Sequence, residues 1–200
     1  ANVGDDTVSR IDPIRRLVLD NFYATTPLEL AWRRDVIWIA NGNSYDGPDP
    51  PGGGTIERYD VETTDLVQTR VSSPADNLLT FIAAGSEGVW AGSPRESRVF
   101  KLDARTGRIV AAVPTMIQVS GMALGAGSLW VSDAINDSVY RIDPATNTVV
   151  ARIHVADGPR RLAVAEDAVW VLGEFPRSGV WRIEPFSPTE PMSALADPIH

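Results

Sequence analysis

Two short phrases recur along the chain with a period of about forty residues, and this repeat limits the possible folds more than any other feature. The first phrase reads apolar, basic, apolar, acidic. Its acidic residues lie 48, 43, 40 and 41 residues apart. They are Asp12, Asp60, Asp103, Asp143 and Glu184.

The second phrase places a tryptophan between apolar residues, at Trp38, Trp90, Trp130 and Trp170, with spacings of 52, 40 and 40 residues. Both phrases keep the same phase, so they belong to one repeated unit. A unit of about forty residues fits a four-stranded blade. The repeat therefore predicts an all-β fold: a β-propeller of four-stranded antiparallel blades, about four blades plus a half blade at the N-terminus, as a partial or assembled ring.

Within one unit, short β-rich segments between turn-forming residues predict strands at Arg161–Ala165, Ala168–Leu172 and Val180–Glu184, and Val149–Val155 shows the fourth strand of the preceding unit. The tryptophan strands are continuously apolar, which is typical of a strand covered on both faces. The basic-x-acidic strands alternate, so we expect them to lie further out.

Aligned on the repeat, the chain divides into a half blade at 1–22, blades at about 27–72, 77–115, 119–155 and 160–184, and a Pro-rich tail at 185–200. An open stack of blades leaves an apolar face at each end, and repeat arrays normally cap or close such faces. We therefore expect a ring completed by missing blades or by a homodimer.

Charge and composition exclude several classes of function. The net charge of -8 and the pI near 4.7 argue against nucleic acid and against an anionic membrane surface. The absence of cysteine excludes disulfides, thiolate metal sites and a cysteine nucleophile. No run is apolar enough for membrane insertion, and Ala1–Arg10 lacks the regions of a signal peptide. We expect a soluble chain, with an extracytoplasmic location (secreted, periplasmic or surface-attached) slightly favoured.

The repeated residues have a structural interpretation. The tryptophans occupy one place in every unit, which favours packing between blades over ligand stacking. The acidic residues precede turns, which their side chains commonly open, and the basic residues beside them favour surface ion pairs. His154 ends an outermost strand without a partner, so the pattern predicts exposure and no catalytic role.

One loop breaks the repeat. From Trp38 to Thr55 there are 17 residues, against 8 from Trp130 to Ser138, so the segment 43–54 carries about nine extra residues. Inserts in repeat proteins collect on one face, often the binding face, and Tyr45, Asp46 and Asp49 are its expected contacts. The two aspartates could help to bind Ca²⁺, although the EF-hand pattern is incomplete; a flexible surface loop is the alternative.

Equivalent loops of other units share that face of a propeller, together with the connections between blades. The sequence therefore predicts a mixed-charge rim for ligand binding, formed by Tyr45, Asp46, Asp49, Arg95, Glu96, Asp133, Asn136, Arg160, Arg161, Glu174 and Arg177.

Four segments together resemble the YVTN and NHL-like bacterial propellers: Val139–Val150, Gly158-Pro159, Leu162–Val164 and Val169–Val171. They also look like the streptogramin (virginiamycin B) lyase family of seven-bladed propellers. The resemblance runs to about Glu184 and implies a propeller fold.

The lyase family further implies Mg²⁺ with a catalytic His and a nearby Glu and His. This chain has only His154 and His200, and neither stands in a matching setting. We therefore predict no catalytic residue, no metal site and no cofactor, with Ca²⁺ or Mg²⁺ as the alternative.

Three functions follow from these patterns. The leading hypothesis is a non-catalytic propeller module that recognises a protein or a small polar ligand through the rim. A streptogramin lyase-like lyase or hydrolase, whose catalytic residues lie outside this segment, is the first alternative. The second is an extracellular sensor or scaffold domain of a larger regulator. Fold alone does not choose among them.

Overall fold

A computed structural model of the chain describes residues 1–42, 55–63, 66–69, 79–115, 118–165, 168–174, 178–184 and 197–198. Strands dominate these residues, and the one helical segment among them is a single 3-10 turn at Val3–Asp5. The structure is therefore nearly all-β, as the repeat predicts.

The strands form one two-stranded and four four-stranded antiparallel sheets. The first sheet contains β1 (Thr7–Asp12) and β2 (Leu17–Tyr23). The second contains β3 (Pro27–Arg33), β4 (Val36–Asn41), β5 (Thr55–Asp60) and β6 (Leu66–Thr69). The third contains β7 (Phe81–Gly85), β8 (Gly88–Gly92), β9 (Arg98–Leu102) and β10 (Ile109–Pro114). The fourth contains β11 (Gly121–Gly125), β12 (Ser128–Asp133), β13 (Ser138–Asp143) and β14 (Thr148–His154). The fifth contains β15 (Pro159–Ala165), β16 (Ala168–Gly173), β17 (Gly179–Ile183) and β18 (Asp197–Pro198).

Each four-stranded sheet is a meander in chain order, and the sheets meet through their first strands. β3 contacts β7, β7 contacts β11, and β11 contacts β15. The tryptophan strand is second and the basic-x-acidic strand is third in every four-stranded sheet. The predicted order of strands from the inside to the outside is confirmed.

The same three-residue row crosses every four-stranded sheet. Each tryptophan lies between an alanine of the first strand and a basic residue of the third. The rows are Ala31-Trp38-Arg58, Ala83-Trp90-Lys101, Ala123-Trp130-Arg141 and Ala163-Trp170-Arg182. This common register is the structural form of the sequence repeat.

The tryptophans fill the spaces between sheets. Trp38, Trp90 and Trp130 are fully buried, and each belongs to an apolar cluster that includes residues of the following sheet. The predicted core role is confirmed for these three. Trp170 is only partly buried, because no described residue belongs to a sheet on its far side.

The two-stranded first sheet packs on the second sheet. Val8 and Ala24 form a small apolar cluster with Ile39, and the ring of Phe22 stacks on that of Tyr59 with centroids 4.0 Å apart. Interlocking apolar side chains thus join even the shortest sheet to its neighbour.

The repeated aspartates close turns, as their positions predict. Asp12 Oδ1 accepts the backbone N–H groups of Ile14 and Arg15, and Asp60 Oδ1 accepts those of Glu62 and Thr63. The N–H of Thr63 is the main cause that lowers the pKa of Asp60. A carboxyl whose pKa is lowered in the folded state stabilises that state at any pH above its ordinary pKa. This stabilisation is lost as the pH falls through the pKa of the folded state.

The same motif continues in the next two sheets. The hydroxyl and the backbone N–H of Thr106 lower the pKa of Asp103, and the N–H of Ala145 and the hydroxyl of Thr146 lower that of Asp143. These carboxylates are structural.

The basic residues beside them differ from the expected ion pairs in two of the four sheets. Arg58 pairs with Asp60 at 3.5 Å, and Arg182 pairs with Glu184. Lys101 and Arg141 instead lie over the rings of Trp90 and Trp130, at 5.4 and 5.6 Å from their centroids. A cation over an indole face is attracted by the ring electrons, and this attraction strengthens when water is excluded.

The predicted Pro-rich tail lies mostly outside the described residues. Within it, Asp197–Pro198 forms β18, which pairs with Arg182 and Trp181 of β17. The sequence pattern predicts no strand in this proline-rich run, so the structure differs from the prediction at β18. An edge strand can accept proline because an N–H on its outer side has no ladder partner to lose.

Candidate functional site: the loop face

The described residues of the predicted rim lie at one end of the sheets, which we call the loop face. Here the second strand leads into the third through residues 93–97 and 134–137, and the fourth sheet connects to the fifth. The opposite end carries the tight aspartate turns, and we call it the turn face. Consecutive antiparallel strands impose this separation, since every second connection returns to the same end.

The loop of the fourth sheet is held in shape by its own polar residues. Asp133, fully buried, accepts the backbone N–H groups of Ile135 and Asn136 at 3.0 and 3.1 Å, and its second oxygen accepts the side-chain amide of Asn136. In the third sheet, Ser93 Oγ accepts the N–H of Arg95 at 3.1 Å. Residues at the end of each of these tryptophan strands therefore build the loops.

Hydrogen bonds also tie this loop to the connection that enters the fifth sheet. Asp137 accepts the N–H of Val155 with its carbonyl oxygen and that of Gly158 with its carboxylate, at 2.8 and 2.9 Å. Ser132 Oγ donates to the carbonyl oxygen of Arg160 at 2.9 Å. The backbone that carries Arg160 is thus fixed before any ligand arrives.

Arg160 lies at a bulge. The register of β15 against β16 shifts between Pro159 and Arg161, which leaves Arg160 as the extra residue. Bulges redirect a side chain relative to the regular pleat. Arg160 Nε lies 3.0 Å from Glu174 Oε2, and both side chains are about half exposed.

Arg161 belongs to a second ion pair that joins distant sheets. Its Nη1 lies 3.6 Å from Glu29 Oε1 on β3, so the pair spans from the fifth sheet to the second. Glu29 Oε2 also accepts the backbone N–H of Ile82 on β7 at 2.8 Å. Glu29 and Arg161 occupy equivalent positions in their units, each just after a bulge.

Burial raises the pKa of Glu29, and the Ile82 N–H and the Arg161 guanidinium oppose that rise. The carboxyl is mostly buried while Arg161 is 65% exposed, so burial outweighs a partner screened by water. Two opposite charges thus meet where the inner strands begin, and the acidic one has a pKa above that of an ordinary glutamate.

Replacing Glu29 by glutamine is expected to change how stability depends on pH. A carboxyl whose pKa is raised in the folded state stabilises that state at any pH below its ordinary pKa of 4.5. This stabilisation is lost as the pH rises through the pKa of the folded state. The amide of the Glu29→Gln variant can still accept the Ile82 N–H but cannot titrate. The variant should therefore gain stability relative to the parent as the pH rises above 4.5, as measured by urea unfolding. The turn aspartates are present in both proteins, so their contributions cancel in the difference between the two free energies of unfolding. If that difference did not change with pH, the raised pKa of Glu29 would be contradicted.

The predicted rim residues fall into three groups in the structure. Arg95, Arg160, Arg161 and Glu174 present exposed side chains. Glu96, Asp133 and Asn136 form the loops, with Glu96 buried and 3.7 Å from Arg98. Tyr45, Asp46, Asp49 and Arg177 lie outside the described residues, and their role stays a prediction.

Sequence reasoning missed Glu29. Its place in the repeat is taken by Phe81, Gly121 and Arg161 in the other units, so one inward position of an otherwise repeated strand carries opposite charges in two units. That contrast was present in the sequence, and a column-by-column alignment of the units would have found it.

Among the residues that the structure describes, no group of three or more His, Asp or Glu side chains is placed to hold a metal ion. The expectation of no cofactor stays a prediction. His154 is exposed, as its position predicts. No described helix is long and apolar enough to cross a membrane.

Comparison with known proteins supports the fold. No protein-family model and no curated protein matches the chain. Solved structures do: streptogramin B lyase shares 19% identity at a TM-score of 0.74 over 98% of this chain and 63% of its own. The fold is β-propeller-like.

Two further structures are similar. Dihydro-heme d1 dehydrogenase NirN shares 17% identity at a TM-score of 0.66, over 97% of this chain and 42% of its own. Hydrazine synthase of Kuenenia stuttgartiensis shares 14% identity at a TM-score of 0.65, over 79% of this chain and 46% of its own. The chain spans less than two thirds of the length of each of these three proteins, and at such identities the likeness concerns the fold alone.

Proposed function

We propose that this chain is a non-catalytic propeller module that recognises a protein or a small polar ligand through its loop face. The observation that carries the proposal is the pairing of charges there: Arg160 with Glu174, and Arg161 with Glu29, on backbone held by Ser132 and its neighbours. Exposed charges on a pre-formed scaffold need little reorganisation to bind, which favours recognition.

The ligand chemistry follows from the charges. Arg95, Arg160 and Arg161 offer guanidinium groups, and Glu174 offers a carboxylate. An exposed ion pair contributes only about 0–1 kcal/mol to stability, so exchanging it for a ligand contact costs little. A ligand that carries both a carboxylate and an ammonium group, such as a peptide, matches this arrangement.

Alanine at Arg95 and Arg161 together is expected to weaken binding of such a ligand at least tenfold, which corresponds to about 1.4 kcal/mol or more. The measurement is calorimetric titration with the tightest ligand from a screen of charged peptides and small polar molecules. The matched control is Arg108→Ala, an exposed arginine at the turn face. Equal affinity in the parent and the double variant would contradict the proposal that the ligand binds at the loop face.

The similarity to streptogramin B lyase supports a second candidate, a lyase or hydrolase of that type. The resemblance in fold favours it, and its catalytic residues would lie outside this segment. Turnover of a streptogramin in the presence of Mg²⁺, by this chain together with the blades that carry those residues, would contradict the non-catalytic proposal and favour this one.

Finer points of the proposal rest on the sequence. Membership of the YVTN or NHL-like bacterial propellers is supported by the repeat segments of the fourth and fifth units. An extracytoplasmic sensor or scaffold role, and ring completion by further blades or by a second copy, are compatible with the same binding face.

A further inference from the structure

A second candidate site lies at the turn face, away from the proposed binding surface. A cleft of about 330 Å³ opens between the second and third sheets. Four arginines line it: Arg33 at the end of β3, Arg34 in the β3–β4 turn, Arg58 on β5 and Arg105 in the turn after β9. The whole chain carries a net charge of -8, so four guanidinium groups around one cleft run against its average charge.

The repeat provides an internal comparison for this cleft. At the next interface the residue equivalent to Arg58 is Lys101, which lies over Trp90 and donates to the carbonyl oxygen of Pro144 in the following sheet at 2.6 Å. In the fourth sheet the equivalent is Arg141, which lies over Trp130 and donates to Ser128 Oγ at 2.7 Å. In both sheets an oxygen atom of the protein accepts a hydrogen bond from the basic group.

Arg58 differs from its two equivalents. Its side chain is 17% exposed, and its Nη2 lies 3.5 Å from Asp60 Oδ2. Its Nε is buried and has no hydrogen-bond partner among the described residues. A buried N–H without an acceptor is costly, so the protein satisfies the guanidinium of Arg58 less well than it satisfies the two equivalent basic groups.

The other three arginines leave donors for a ligand. Arg33 Nε donates to the carbonyl oxygen of Gly85 at 2.8 Å, which holds the cleft wall to the third sheet and uses one of five guanidinium N–H groups. Arg34 and Arg105 are exposed, and neither donates a side-chain hydrogen bond to any residue that the structure describes. Guanidinium groups bind phosphate and carboxylate oxygens in pairs of parallel hydrogen bonds.

The remaining wall is apolar. Val36, Trp38 and Ala104 complete the lining, and the side chain of Trp38 is fully buried. A ligand that fits both parts has an anionic head and a small apolar body. Four positive charges, only one of them paired with a described carboxylate within 4 Å, favour a head with two negative charges over one.

We propose that this cleft binds a small phosphate monoester, with the phosphate held by Arg34, Arg58 and Arg105 and the apolar part against Val36 and Ala104. The site is independent of the loop face, so either can exist without the other.

Phenyl phosphate is a suitable probe, titrated calorimetrically into the intact chain at low ionic strength. The expected result is saturable binding that weakens at least tenfold in the double variant Arg34→Gln/Arg105→Gln. Both side chains are exposed, so the variant should keep its circular dichroism spectrum and unfolding midpoint. The matched control is Arg16→Gln with Arg108→Gln, which removes the same charge from exposed positions outside the cleft and should leave affinity within twofold.

Three results would overturn the proposal. One is no binding of phenyl phosphate by the parent chain up to about 1 mM. Another is an equal loss of affinity in the cleft variant and in the control, which would indicate general attraction by surface charge. The third is equal affinity for benzoate, which carries one negative charge and would contradict the selection of a dianion. Inorganic phosphate should bind more weakly than phenyl phosphate, because it lacks the apolar part.

Discussion

Replacing Gly121 by alanine is expected to destabilise the chain by about 3 kcal/mol or more, or to prevent folding. A Cβ atom at this position would overlap the carbonyl oxygen of Arg160 and lie 3.0 Å from Ser132 Oγ. Both neighbours are fixed, because Ser132 Oγ already donates to that carbonyl oxygen. Backbone cannot move aside as a flexible side chain can, so β11 and β15 would have to separate.

Urea unfolding of the Gly121→Ala and Gly4→Ala variants measures this effect. Gly4 lies in the 3-10 turn with no heavy atom within 4 Å of an added Cβ, so its substitution should change the free energy of unfolding by no more than about 0.5 kcal/mol. The two variants carry the same chemical change and differ in the space available. A similar small effect in both would show that the fourth and fifth sheets do not approach as closely as the structure has them.

Replacing Trp130 by alanine is expected to cost about 3–5 kcal/mol. The side chain is fully buried, and its Nε1 donates to the carbonyl oxygen of Gly125 at 3.1 Å. It packs with Val169 and Val171 of the fifth sheet and lies under the guanidinium of Arg141. Its removal leaves a cavity between two sheets and leaves Arg141 without the ring that it covers.

Trp170→Ala is the matched comparison, since Trp170 occupies the same place in the next unit and is only partly buried. Its loss should cost about 1–2 kcal/mol, because part of its apolar surface is in contact with water already. Each variant removes one of 6 tryptophans, so the unfolding curves can be compared by circular dichroism without an optical bias. Equal costs would mean that both rings are equally covered in solution.

The repeat carried most of the information about the fold. Phrases such as Val139–Asp143 and Leu129–Ser132 describe hairpins whose hydrogen bonds lie within one unit, so equal local sequences form equal sheets. The alternation of side chains allows only one register that buries the tryptophans. The row Ala123-Trp130-Arg141 and its equivalents are the result. The turn aspartates were predictable for the same reason, since their partners are two and three residues away.

Contacts between side chains of different units could not be predicted from the repeated local sequence. Glu29 meets Arg161 although two sheets lie between them in the chain, and Arg58 meets the turn of Arg105 only because the second and third sheets stack with that spacing. The sequence predicted the mixed-charge loop face through Arg160 and Glu174, but it left the arginine cleft at the turn face unnoticed.

By itself, the sequence determined the all-β class, the four-stranded unit, the order of strands within it and the core place of the tryptophans. The tertiary structure alone decided which charges from separate units meet, which arginine has a buried N–H group without an acceptor, and where a glycine is required by a neighbouring backbone. The physical reason is that the sequence repeat reflects hydrogen bonds and burial within one unit. The distances between residues of different units depend instead on how the twisted sheets stack.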